Sequence, residues 1–354
     1  MGIWYCTREE VKQALDFKQV AWNNPQVDRA IDNGARAVEN LTNRVFYPTL
    51  ATRYFDFPNW QYTYPWKLYL DANELAGAAT AILSGATVIP VADVNFEPID
   101  QGPPYTRLEI QRSKADYLGH SSTPQRDVAV TGPFGYWLKT ESRGTLAASV
   151  SSTSATTITV SNSSSPGSGI GVGDILLIDS EVLVVTERTM ITTGQTQQGS
   201  GVGTAVKSDV TLAVTDGTQY TVGEILLLDS ERMKIVDIAS NNLTVLRAWD
   251  GTTLATHSGA TVFAPRQCTV TRGDLGTTAA THSNAAPISR YAIPGTVRSL
   301  NIAEAINTVE QETSGYARTT GSGASARPTP GVGLDDIRNT CYGDVGRKNR
   351  QRAV

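Results

Sequence analysis

Charge is scarce in this 354-residue chain: Asp, Glu, Lys and Arg together make up 18%, where about a quarter is usual. The formal net charge is only −4. That excludes a chain-wide pull toward nucleic acid or an anionic membrane, and confines any DNA contact to a local patch or to passage through a channel. The three cysteines, Cys6, Cys268 and Cys341, are odd in number, far apart and without metal-ligand spacing. A disulfide framework is therefore not expected, and a reducing compartment suits them. No apolar run approaches the roughly 20 residues of a membrane helix. No basic stretch followed by an apolar one marks a secretory signal, so the chain is expected to be made in a cytoplasm without a membrane partner.

Recognisable chemistry is equally sparse. There is no Gly-x-Ser-x-Gly elbow and no His-Glu-x-x-His. Gly167, Gly169, Gly171 and Gly173 lack dinucleotide spacing, no Gly-Lys-Ser/Thr follows, and the run reads as a loop entering a strand. Of three histidines, His120 stands in a polar loop. His257 and His282 occupy equivalent Gly-Thr-Thr-x-Ala-Thr-His-Ser segments. A metal or catalytic pair is one interpretation, but zinc needs about four ligands and no Cys or Glu cluster accompanies either. Turns satisfied by hydroxyls and imidazole are favoured. Asp179-Ser180-Glu181 and Asp229-Ser230-Glu231 lack the EF-hand pattern and read as polar turns between strands. No catalytic residue, metal or cofactor is expected.

What the chain does have is 40% hydrophobic residues and much Ser, Thr and Gly, enough for two compact units with abundant β structure. Thr7-Arg8-Glu9-Glu10 is a capping box that predicts a helix over Arg8–Phe17. Asn24 as N-cap and Pro25 open a second helix over 25–45, with Val27, Ile31, Ala35, Val38, Leu41 and Val45 on one stripe. Pro48 is expected to end it. Short strands follow at 52–57, 66–70, 80–83, 86–89, 106–111 and 127–131, the middle pair joined at Ser84-Gly85. Aromatics are dense from Phe46 to Tyr69. With Arg53 and Lys67 they could stack single strands, but core and interface packing is favoured.

From 145 to 173 there is no charge at all. This marks a boundary near Gly144, and a β-rich unit runs from there to 291. Helical spacing returns at Leu300, Ala303, Ile306 and Val309. A Gly/Ser/Pro linker (319–333), a short terminal helix (334–342) and a basic tail (346–352) complete the chain. The tail reads either as a solvated end or as a docking arm.

Two repeats overlap. Val172-Gly173-Asp174-Ile175-Leu176-Leu177-Ile178-Asp179-Ser180-Glu181 recurs from Val222 to Glu231, with eight of ten positions identical at a spacing of 50. Arg247…Gly251-Thr252-Thr253…His257-Ser258 recurs as Arg272…Gly276-Thr277-Thr278…His282-Ser283 at a spacing of 25. A tandem duplication would give one spacing. Two spacings imply nesting, with a module at about 208–266 inside one formed by 145–190 and 267–291. Nesting requires the strand at Glu181–Glu187 to lie beside that at Gln267–Thr271.

Outside this insertion the chain resembles the head-to-tail connector (adaptor) proteins of long-tailed bacteriophages. The carrying elements are the opening helix pair ending in Val38-Glu39-Asn40-Leu41-Thr42-Asn43-Arg44-Val45-Phe46 with Thr52-Arg53-Tyr54-Phe55, the strand and turn Val128–Tyr136, the helix from Leu300 to Thr313, and a terminal helix with Arg and Lys. The resemblance covers 1–144 and 295–354. It implies an α+β connector domain (1–144 plus the 292–318 helix), a linker at 319–333 and a docking arm at 334–354, split by an all-β insertion of small barrel or sandwich type (145–291). It implies a structural virion protein in a ring, usually twelvefold, whose partners are further copies of itself, the portal protein, and a head-closure or tail-terminator protein. Genomic double-stranded DNA would pass through its channel without sequence readout. Portal docking would fall to Leu334, Ile337, Arg338, Tyr342, Arg347 and Lys348, and packing between subunits to Arg29, Arg36 and Glu39. The alternative is a tail or baseplate protein whose β modules adhere to a host or capsid surface.

Overall fold

The computed structural model describes residues 2–15, 22–58, 64–161, 169–199, 201–313, 319–320, 327–328 and 333–347. Within them the chain is α+β, with four helices and antiparallel sheets.

The capping box forms as expected: the Thr7 amide donates to Glu10 Oε2 (3.0 Å) and the Glu10 amide to Thr7 Oγ1 (3.2 Å). It opens α1 (Arg8–Leu15), whose expected end at Phe17 lies outside the described residues. Helix α2 (Asn24–Thr42) begins one residue earlier than expected. Asn23, not Asn24, holds the cap position, and its carbonyl accepts from the Gln26 and Val27 amides. It also ends before Val45, because Asn43 turns left-handed at φ 51°. Val45 therefore leaves the buried stripe and is 45% exposed.

Helix α3 (Gly295–Thr313) packs along α2. Gly34 permits the approach, since a Cβ there would sit 2.6 Å from Asn301 Nδ2. Buried Asn301 stitches three segments: it donates to the Ile31 carbonyl (3.0 Å), and its Oδ1 accepts from the Tyr5 amide (3.0 Å) and the Cys6 thiol (3.4 Å). Helix α4 (Leu334–Val345) runs three residues beyond its expected end and buries Leu334, Cys341 and Val345 in the same core. The two ends of the chain thus build one helical hub.

Beside the hub lie two small antiparallel sheets. Strands β1 (Thr49–Phe55), β7 (Val128–Phe134), β3 (Ala81–Ser84) and β4 (Thr87–Ile89) form one in that order. Strands β2 (Lys67–Tyr69), β6 (Arg107–Ile110) and β5 (Val94–Glu97) form the other. They share a core that includes Phe57, Leu68, Leu75, Ile82, Val130 and Phe134. The β3–β4 turn sits one residue later than expected, at Gly85-Ala86, because Ser84 pairs with Thr87.

The remaining strands are β8 (Thr140–Thr145), β9 (Thr157–Thr159), β10 (Ile175–Ile178), β11 (Glu181–Thr196), β12 (Thr211–Ala213), β13 (Ile225–Leu228), β14 (Glu231–Ala239), β15 (Asn242–Leu246), β16 (Thr261–Thr271) and β17 (Pro287–Tyr291). They form a ten-stranded sheet, β12-β15-β14-β13-β16-β11-β10-β17-β8, with β9 also on β16. The ladders do not close the expected small barrel or sandwich into a barrel: the path ends at β12 and β8, which are met by single bridges, Gln198 with Ala213 and Leu146 with Val160. Thr319–Thr320 and Arg327–Pro328 pair as strands β18 and β19 within the expected linker.

The pairing that nesting requires is present: Val184 faces Thr271, Val185 faces Val270 and Glu187 faces Thr269. The inner copy repeats it, bulge included, with Lys234 on Leu246, Ile235 on Val245 and Asp237 on Thr244. Each module has its own core. One runs from Leu146 to Val185 and resumes from Cys268 to Ile288; the other runs from Val202 to Ala264. Where the inner copy closes β14 to β15 with the Ser240-Asn241 turn, the outer copy inserts the whole inner module between β11 and β16.

Candidate functional site

The two repeats converge on one construction, made twice. In the outer module Glu181 starts β11 with no side-chain exposure. Arg272 donates to both its oxygens (2.6 Å each), the Gly273 and Ala280 amides add bonds of 3.0 and 2.9 Å, and His282 Nε2 lies 2.9 Å away. His282 Nδ1 meets Asp179 Oδ2 at 2.7 Å. In the inner module Glu231 is held by Arg247 (3.0 and 2.7 Å), by the Ala248 and Ala255 amides (2.9 Å each) and by His257 Nε2 (3.0 Å). His257 Nδ1 meets Asp229 Oδ2 at 2.7 Å.

Burial opposes ionisation of Glu181. The hydrogen bonds from Arg272, Ala280, His282 and Gly273 outweigh it and hold the carboxyl at about 2. Glu231 is held at about 2 by the same balance with Arg247, Ala255, His257 and Ala248. Each imidazole has both ring nitrogens within hydrogen-bond distance of carboxylate oxygens. The arginines also tie down loop carbonyls, Ser152 and Ala155 for Arg272 and Thr204 for Arg247. These clamps fasten loops. The Asp-Ser-Glu turns and the His segments, considered separately in the sequence, are halves of one unit. Their partners lie 91 to 103 residues apart in the outer copy, and the shared spacing logic of the two repeats was the signal that could have joined them. No group of three or more His, Cys, Asp or Glu side chains placed to hold a metal ion occurs among the described residues.

A second buried pairing accompanies each clamp. Asp174 meets Arg290 at 3.3 Å and Glu224 meets Arg266 at 2.8 Å. Ser84 and Asp127 are likewise buried, 2.6 Å apart, and hold the amides of Gly119, His120 and Ser121.

The residues assigned to portal docking are distributed unevenly. Leu334 is buried in the hub core, whereas Ile337 and Tyr342 are 37% and 40% exposed. Arg338 is paired with Glu304 (2.6 Å) and Asp335 (3.1 Å). Arg347 is paired with Glu74 (3.0 Å), which also takes Arg44 (2.9 Å), and its amide donates to the Thr42 carbonyl. Lys348 and the rest of the basic tail lie outside the described residues. On α2, Arg29 and Arg36 are exposed but engaged, Arg29 with Glu312 (2.9 Å) and Arg36 with Glu39 (2.7 Å) and the Ile3 carbonyl. Glu39 also accepts from Tyr5 Oη (2.6 Å).

The aromatic stretch divides in the same way. Phe46 and Tyr47 are buried against Tyr5, with ring centroids 5.3 and 5.5 Å away, while Tyr54 and Tyr64 are exposed. Trp60 and Tyr62 lie outside the described residues. Lys67 is paired with Glu109 (3.0 Å) and lies over Trp66, and Arg53 lies over Phe134.

One cleft of about 760 Å³ opens between α1, β8 and the inner module, and one of about 530 Å³ lies where Arg44, Glu74 and Arg347 meet. No described helix is long and apolar enough to cross a membrane. No family model matches the chain, and no curated protein or solved structure matches it either.

Proposed function

We propose that the chain is a structural subunit of a bacteriophage head-to-tail connector ring, placed in the virion neck after assembly in the host cytoplasm. The observation that carries this is the hub. The two ends of the chain, with the element order helix, helix, strands, turn, helix, terminal helix, share one core that spans Tyr5, Val38, Phe46, Leu300 and Val345. That is the order of the connector resemblance once the β modules are set aside.

In this reading the subunits close a ring, twelvefold by the resemblance, through heterologous contacts. The exposed α2 side with Arg29 and Arg36 faces a neighbour. The portal-facing surface is α4, through Ile337, Arg338 and Tyr342, while Leu334 is committed to the subunit's own core. A head-closure or tail-terminator protein meets the opposite face, and DNA crosses the channel. The role is structural rather than catalytic.

Electron micrographs of the purified full chain, alone and mixed with portal protein, test this. Closed rings that cap the portal are expected. A chain that stays monomeric at every concentration and does not associate with portal overturns the proposal.

A further inference from the structure

The two β modules turn equivalent faces toward the hub, but only one of those faces is shut. In the outer module it is apolar: Ile175, Val182, Val184 and Leu275 lie in the hub core. Val172 is fully buried, and a Cβ on Gly173 would sit 2.4 Å from Trp4 Cε3. The spacings of 50 and 25 place Ile225, Arg232, Lys234 and Asp250 at the matching positions of the inner module. Three charged side chains stand where the outer copy has Val182, Val184 and Leu275, and charged groups resist the burial that shuts the outer face. Val222, the counterpart of Val172, is 60% exposed, and a Cβ on Gly223 would meet nothing within 4 Å. The larger cleft is thus the open counterpart of the outer module's seam, with Ile225, Arg232, Lys234 and Asp250 on one wall and α1 on the other.

The connection behind the cleft is narrow and irregular. The two modules keep separate cores and are joined through the β11–β16 ladder. Between the pairs Thr189–Gln267 and Ile191–Ala264, Met190 alone faces Pro265 and Arg266. Two residues against one make a bulge, where a ladder bends and twists, and Pro265 has no N–H to give to it. A further register shift follows between Thr192 and Thr196.

Across the cleft, Lys12 Nζ on α1 reaches Asp250 Oδ1 at 3.1 Å, and Arg232 holds the same carboxylate from the inner module's side. An ion pair that keeps contact with solvent shifts an equilibrium by at most about fivefold. Salt weakens it further, since the screening length falls from about 30 Å at 0.01 M to about 3 Å at 1 M. The apolar burial that closes the outer face has no such sensitivity.

We propose that the inner module is a hinged body that turns about the bulge at Met190, Pro265 and Arg266, with the Lys12–Asp250 pair as the latch that holds it against α1. Latched, the module lies beside α1; released, it swings away and widens the cleft, while the outer module stays fixed in the hub. The proposal is independent of the connector reading, since hinge and latch both lie within one subunit.

The test is the distance between two nitroxide labels on the full chain, measured by pulsed electron paramagnetic resonance. Cys6, Cys268 and Cys341 are buried, so added surface cysteines take the labels. Asn33→Cys with Asn242→Cys spans the hub and the inner module, and Asn33→Cys with Thr271→Cys spans the hub and the outer module; all three positions are exposed. The first pair is expected to show one latched distance in low salt. A second, distinct distance should gain share about two- to fivefold at about 1 M salt, and again in Lys12→Glu, which sets two carboxylates face to face. The hub–outer pair is expected to keep a single distance throughout. The salt series leaves the latch residues unaltered, so it decides the matter alone if Lys12→Glu fails to fold. An unchanged hub–inner distance at high salt and in Lys12→Glu, or an equal shift in the hub–outer pair, overturns the proposal.

Discussion

The outer and inner β modules use the same strands in the same register, down to a shared bulge, and the same Glu–Arg–His–Asp clamp. They differ in what lies around them. The outer module sends Ile175, Val182, Val184, Leu275 and Tyr291 into the hub core, and its backbone bonds directly to α1 and β1, Arg8 N to Val172 O (3.0 Å) and Leu50 N to Leu275 O (2.8 Å). The inner module keeps a core of its own and touches α1 through the Lys12–Asp250 pair. One small β unit thus serves once as part of a composite domain and once as a projecting body. The clamp can be the same in both because it closes each module internally, whereas the surroundings decide whether losing it spreads.

Removing one partner of a buried ion pair costs about 3–5 kcal/mol, so the clamps give the largest expected contrast. Glu181→Ala should lower the melting transition of the hub and outer module together. Glu231→Ala should split off an early transition belonging to the inner module and leave the rest near its original temperature. Scanning calorimetry distinguishes the two, and identical single transitions in both variants would break the comparison.

The seam gives a smaller effect. Gly276 and Gly251 are equivalent and both left-handed, at φ 82° and 72°. An alanine in that conformation costs about 1–2 kcal/mol. At 276 the new methyl also runs into the Leu50 carbonyl across the hub seam. Gly276→Ala should therefore destabilise clearly more than Gly251→Ala in matched denaturant titrations, and equal costs would remove the seam from the account.

Acid should weaken both modules, more gently. Glu181 and Glu231 titrate near 2 in the folded chain, against about 4.3 for an unperturbed glutamate. A depressed folded-state value means that the stabilisation is complete above about pH 5 and fades as pH falls toward 2. Melting temperature should fall over that window, and Glu231→Gln should flatten the fall for the inner transition alone. A pH-independent inner transition in the unmodified chain would contradict the assignment.

How far the sequence carried the reader depends on where the information was stored. The capping box, the α2 stripe and the β3–β4 hairpin are local, and appeared with shifts of one to three residues. Those shifts trace to single residues, Asn43 turning left-handed and Ser84 pairing with Thr87. Nesting was legible because two spacings, 50 and 25, cannot come from one tandem copy. The clamp's two halves were both visible as duplicated motifs, but the contact of Glu181 with His282 depends on a long-range register that neither motif contains by itself. The expected small barrel or sandwich was not fully legible, because β11 and β16 run through both modules and join their strands into one ladder path that does not close as a barrel. The hub's dependence on Asn301 and Gly34 leaves no pattern in a single sequence, since an asparagine on a helix face and a glycine within one have many uses.

Nesting is the claim on which the rest turns, and it specifies its own deletion. In the inner copy Ala239 pairs with Asn242 across Ser240-Asn241, and in the outer copy the matching pair is Thr189 with Gln267. The Val214 amide bonds to the Asn241 carbonyl just as that of Val160 bonds to Arg266. A chain lacking 190–266, with Thr189 joined to Gln267 through Ser-Asn, should give a single cooperative calorimetric transition, with hub and outer module intact. A chain that aggregates or melts without cooperativity would show that the two modules are not separate units and would contradict nesting.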